Sequence, residues 1–219
     1  MTDEQEGRGP KARGIVVGLT GGIAAGKTTA LRMFAEIGAD TFSADEYVHE
    51  LYRKPEIKDI LKKRFGPDIF GPNKEVDRRV LLKKVTKDPD ALRWLENFVI
   101  PKISEERVRR MSSVGESKVL VCESPLLVEG GFQSRFDLVV TVEAPFGVRQ
   151  QRSMARLDEP TLLSLEKRRA TVGQRIAAAD YSYTNDAGLP EMKAFVRMVW
   201  ERAKAMARGE AERPRADGE

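Results

Sequence analysis

Gly21-Gly22-Ile23-Ala24-Ala25-Gly26-Lys27-Thr28 has the spacing G-x-x-x-x-G-K-[ST], residue types suited to gripping a polyphosphate. Gly21, Gly22 and Gly26 admit backbone angles closed to other residues and let main-chain N–H groups approach phosphate oxygens. Lys27 supplies a mobile positive charge for β- and γ-phosphates, and the Thr28 hydroxyl is placed to ligate an accompanying Mg²⁺. A helix opening here would add the positive end of its dipole. The expected nucleotide contacts are therefore Gly22, Ile23, Ala24, Ala25, Gly26, Lys27, Thr28 and Thr29.

Two carboxylates and two arginines could complete such a site. Asp45 and Glu123 each follow a strand-like run, and ligands of open parallel sheets gather at the carboxyl ends of strands. Glu123 is read as acting on Mg²⁺, directly or through water, because a carboxylate beside an apolar strand is costly unless paired or metal-linked. Asp45 has a second reading: Ser43 and Glu46 have the spacing of a capping box, and an acidic first turn suits the helix dipole. Arg152 and Arg156 lie four apart on one helix face, which reads either as a solvated basic face or, since Leu157-Asp158-Glu159-Pro160 breaks the helix there, as the place where a lid arginine would close on a transferring phosphoryl group.

The elements that must carry these residues are strands separated by helices. Ile15 to Leu19 is a continuous apolar run of the kind buried on both faces of a parallel sheet, and Leu31, Phe34, Ala35 and Gly38 recur at helical spacing after it. Further strands are expected around Asp40 to Phe42, at Val119 to Cys122 and Leu138 to Val142, and more weakly at Tyr181 to Thr184. Pro145 opens a helix to about Arg156, and Met192, Phe195, Val196 and Val199 mark a closing amphipathic helix. Trp94 and Trp200 lie in helical segments and are read as packing in or near the core. From about Asp45 to Lys118 the pattern stays helical, with Pro101 expected to kink one segment; this is far more chain than a crossover needs, so the excess reads as a helical cap.

The chain of 219 residues suits one α/β domain with an elaboration. Its net charge of +4 comes from interspersed charges, which fits an anionic small substrate and gives little reason for nucleic acid. Cys122, the one cysteine, excludes an internal disulfide and reads as a buried thiol. No stretch has the length of a membrane span and the first residues lack a signal-peptide core, so a cytoplasmic protein is expected. Residues 1–12 and 208–219 read as flexible tails, 13–45 and 118–207 as the nucleotide-binding core with a lid at about 156–178, and 46–117 as the insertion.

The chain resembles the dephospho-coenzyme A kinases over about residues 14 to 200. The likeness rests on Leu19 to Thr28, Ala44-Asp45, Val76-Asp77-Arg78, Pro125-Leu126-Leu127-Val128-Glu129, Arg152 with Arg156, and Ala179-Asp180-Tyr181 leading to Asn185. It implies a three-layer P-loop fold with a five-stranded parallel sheet, a helical acceptor-binding insertion and a lid, with ATP and Mg²⁺ phosphorylating the ribose 3′-hydroxyl of dephospho-coenzyme A. It implies that Asp45 acts near the accepting hydroxyl as base or positioner, that Arg156 and Arg175 act in the lid region, and that Asn185 lies near the adenine pocket. For Asn185 a turn before Asp186-Ala187-Gly188 is an equal reading. Arg78 and Arg79 are candidates for the acceptor's diphosphate, with an exposed helical pair as the alternative, and Pro125 and Leu126 are acceptor candidates.

The chain departs from the family where Ile100-Pro101 replaces His-Pro, where Arg169 replaces a glutamine, and where Ser43-Ala44-Asp45 replaces Asp-Ala-Asp. His49 reads as a polar helix residue or a substrate contact. Another small-molecule kinase of the same fold, on a nucleoside or sugar acid, is one alternative, although Pro125 to Glu129 has no explanation there. A nucleotide-dependent switch is another, but Asn73-Lys74-Glu75-Val76 lacks the aspartate of a guanine-reading motif. The sequence leaves the oligomeric state open.

Overall fold

Seven consecutive residues without a solvent-facing side chain, Ile15–Gly21, form β1, the central strand of the fold. The computed structural model describes residues 13–116, 118–154, 159–167 and 169–214. After β1 come α1 (Lys27–Glu36), β2 (Asp40–Ser43), α2 (Ala44–Leu51), α3 (Pro55–Phe65), α4 (Arg78–Val85) and α5 (Pro89–Ser112). The second half runs β3 (Val119–Glu123), β4 (Leu138–Glu143), α6 (Phe146–Ser153), α7 (Glu159–Glu166), α8 (Val172–Ala177), β5 (Tyr181–Thr184) and α9 (Leu189–Ala207).

Contacts divide the chain into two units, Met1–Phe42 with Ser113–Glu219, and Ser43–Ser112. The first holds a five-stranded sheet in the order β2-β3-β1-β4-β5, with β1 parallel to β3 and to β4, and β4 parallel to β5. This is the expected α/β fold. β1, β3 and β4 are almost wholly buried, which is why they read as unbroken apolar runs, whereas β5 alternates half-buried and exposed residues as an edge strand does. Leu31, Phe34, Met192, Val196 and Val199 from α1 and α9 join the sheet residues in one core, against which Trp200 packs.

The second unit is helical around Leu51, Leu61, Phe65, Leu81, Val85 and Val99. Trp94 stacks on Phe98 at 5.2 Å and meets Phe65 edge-on at 5.5 Å. Helix α5 is continuous for 24 residues with Pro101 inside it, so the proline does not divide the segment. Asp77 caps α4 by accepting the N–H groups of Arg79 and Val80.

Two boundaries differ from the sequence expectation. Pro145 is the cap before α6 rather than its first residue, and α6 ends at Ser153. Residues 208–214 do not behave as a tail: Arg213 pairs with Asp180 through two contacts of 3.0 Å. The Asp180 carboxylate, only 3% exposed, also accepts the Val139 N–H at 2.7 Å, and a buried carboxylate requires such a counter-charge.

Candidate active site

The loop between β1 and α1 is built around Lys27. Its ammonium donates to the carbonyls of Gly21 at 3.2 Å and Gly22 at 2.8 Å, and the residue is 8% exposed. Burial pushes its pKa down to about 8, opposed first by the negative charge of Glu123 and reinforced by Arg169. The backbone departs from the simple glycine reading. Gly21 and Gly26 take φ of 141° and 112°, but Gly22 does not share the region, and Ala24 does, at φ 57°. A Cβ on Gly21 would lie 1.9 Å from the Val142 carbonyl oxygen, so this glycine is needed for clearance as well as for its angle.

The turn after the edge strand β5 holds the loop in place. Asn185 donates from Nδ2 to the Ala25 carbonyl at 2.8 Å, and its own N–H reaches the Glu143 carbonyl at 2.7 Å. Arg152, on α6, reaches the same Ala25 oxygen at 3.5 Å. Thr28, Thr29, Arg152, Asn185, Leu189 and Met192 line a cleft of about 590 Å³ beside the loop. Thr28 is exposed there, and Glu123 is half-buried at the end of β3, paired in register with Leu19.

Arg175, expected to act in the lid region, is buried and paired. It forms a two-pronged ion pair with Glu143 at 2.6 and 2.7 Å and donates to the Ala170 carbonyl. Glu143 also accepts from the Thr141 hydroxyl at 2.8 Å. The hydrogen bonds that Arg175 donates to Glu143 hold its charge firmly, raising its pKa. Arg156 lies outside the described residues. Beside this pair, Arg169 donates to the Pro125 carbonyl at 3.2 Å, Glu129 accepts the Ala170 N–H at 2.8 Å, and Arg149 pairs with Glu166 at 2.7 Å. Sequence reading missed Glu143, Arg149 and Glu166; the one signal available was that Glu143, like Glu123, closes an apolar strand.

In the helical unit, Asp45 stands in the first turn of α2 with its side chain 89% exposed, 3.5 Å from Arg78. The capping-box alternative for this segment does not form, because the Ser43 side chain makes no cap hydrogen bond. Arg79 follows Arg78 in the first turn of α4, and His49 is exposed in the last turn of α2. Leu126 is exposed while its neighbour Leu127 is fully buried. Cys122 is buried, as expected. Among the described residues no three metal-ligating side chains cluster, and no helix is long and apolar enough to cross a membrane.

A glycine-rich turn from a central parallel strand into a helix, with a buried lysine at the helix start, defines a P-loop protein of the α/β kinase class. The family model for dephospho-CoA kinase matches residues 15–191. A dephospho-CoA kinase of Aquifex aeolicus is 31% identical over 188 residues, covering 84% of this chain and 95% of that protein. One from Frankia casuarinae is 36% identical, covering 84% and 82%. A crystal structure from Thermus thermophilus superposes with a TM-score of 0.65 at 27% identity, covering 85% of this chain and 96% of that one. The chain belongs to the dephospho-CoA kinase family.

Proposed function

We propose that this protein is a phosphotransferase that uses ATP to phosphorylate the ribose 3′-hydroxyl of dephospho-coenzyme A, releasing coenzyme A and ADP. The observation that carries the reading is the buried Lys27 in its loop, within a chain that matches the family from residue 15 to 191. In the reaction the bond from the γ-phosphorus to the β–γ bridging oxygen breaks, a bond from that phosphorus to the 3′-oxygen forms, and the hydroxyl proton leaves.

The residues divide by task. Main-chain N–H groups from Gly22 to Thr29 and the Lys27 ammonium hold the donor's phosphates, while Arg152 and Asn185 border the cleft that takes the rest of the nucleotide. Asp45 positions or deprotonates the accepting hydroxyl, and Arg78 and Arg79 hold the acceptor's diphosphate. Residues 46–117 are the acceptor-binding insertion, and Pro125 and Leu126 are further acceptor contacts. Phosphoryl transfer rests on alignment and charge neutralisation, so positioning is the larger share of Asp45's task.

Mg²⁺ fits the donor set, for Thr28 and Glu123 are a hydroxyl and a carboxylate of the sort that hold this ion with nucleotide phosphates and water instead of a full protein cage. When bound, it would neutralise phosphate charge.

The test is to mix the protein with ATP, Mg²⁺ and dephospho-coenzyme A and measure both products. Coenzyme A and ADP should form in equal amounts. ADP released equally without the acceptor would overturn the assignment.

A further inference from the structure

One oxygen of Glu166 does two things. Its Oε1 pairs with Arg149 Nη1 at 2.7 Å and also accepts the backbone N–H of Ile23, inside the phosphate loop, at 3.4 Å. Arg149 has a side chain only 5% exposed, anchored by its Nε donating to the Ala144 carbonyl at 3.0 Å. Its Nη1 has no aligned hydrogen bond, the Glu166 contact being an ion pair. The same nitrogen lies against the loop backbone, 3.3 Å from where a Cβ on Gly22 would be.

A carboxylate oxygen held between a loop amide and a buried guanidinium has the partners a phosphate oxygen would take. We infer that Arg149 is a further phosphate-contacting cation of this enzyme, and that Glu166 is an internal anion which the donor's phosphates must displace. The inference rests on the reading of the loop as the donor site. Two anions cannot share one amide N–H and one guanidinium face, so the Glu166 carboxylate gives way whenever a phosphate oxygen arrives. Until then it supplies the counter-charge that a buried Arg149 requires. The arrangement lowers the apparent affinity for polyphosphate by the work of displacement, and ligands too weakly charged to compete with Glu166 are rejected.

Inorganic tripolyphosphate is the probe, because it carries the phosphates with neither base nor ribose; ATP is measured alongside it by calorimetry. Glu166→Gln should tighten both ligands about tenfold, and Glu166→Asp, one methylene shorter, should tighten them less. Arg149→Met should weaken both about tenfold or more, and in that background Glu166→Gln should no longer tighten binding. Unchanged or weaker binding in both Glu166 variants, with melting temperatures near the parent's, would overturn the inference and leave the pair a structural tie. Lys27→Ala separates the two ideas. If it binds tripolyphosphate as the parent does, the donor-site reading itself fails; if it loses binding while the Glu166 variants match the parent, only the present inference fails.

Discussion

Asn185 and Ala25, 160 positions apart in the chain, are joined by a buried hydrogen bond of 2.8 Å that ties the turn after β5 to the phosphate loop. Asn185→Ala removes the donor and, among the described residues, leaves the Ala25 carbonyl with the 3.5 Å contact to Arg152. The expected outcome is a loss of about 1–3 kcal/mol of stability in urea denaturation, with a raised KM for ATP and a smaller effect on kcat. Unchanged stability and KM would mean the bond does not hold the loop.

The depressed pKa of Lys27 makes donor binding depend on pH. Phosphates favour the charged ammonium, and the free protein holds that proton only below about pH 8. ATP affinity should therefore be flat below pH 8 and fall by up to about tenfold per unit above it, with proton uptake on binding in calorimetry. The unliganded protein should move the other way. Between about pH 8 and 10.5 the unfolded chain binds the Lys27 proton more readily, so this group contributes rising stability with pH. Lys27→Met should stabilise the unliganded protein at pH 7 by roughly 1–3 kcal/mol and abolish donor binding.

Asp45 and Arg78 form an exposed pair, with side chains 89% and 46% accessible, and exposed pairs contribute little to stability. Asp45→Asn should leave the melting temperature within about 2 °C of the parent while lowering kcat by about a hundredfold or more, with ATP binding retained. Full turnover in this variant would remove Asp45 from the reaction.

The Glu143–Arg175 pair should behave oppositely, since both side chains are nearly inaccessible. Arg175→Leu alone strands a buried carboxylate and should cost about 3–5 kcal/mol. Pairing it with Glu143→Met should recover most of that loss, with KM for ATP within about twofold of the parent. A large KM increase in the double variant would make Arg175 a nucleotide contact.

The five strands and the loop were legible because their signals are local. A strand buried on both faces must be apolar throughout, as β1 and β4 are, and a phosphate loop has its spacing written in consecutive residues. Capping signals were less dependable. Ser43 and Glu46 have the box spacing without a cap forming, whereas Asp77 caps α4 and stands out in the sequence only as part of a family motif. The ion pairs beneath the loop were not legible, since Glu143 and Arg175 are 32 positions apart and nothing local to either names its partner.

Asp137 and Asp180 sit just before β4 and β5, where they accept the N–H groups of Val16 and Val139 and pair with Arg13 and Arg213. In a parallel sheet that edge is opposite the one bearing the phosphate loop, so the chain on both flanks of the core is fastened at the far rim. An affinity handle or surface linker grafted after residue 214 would depart from that rim, and protein immobilised through it would keep its nucleotide-facing edge open to solution.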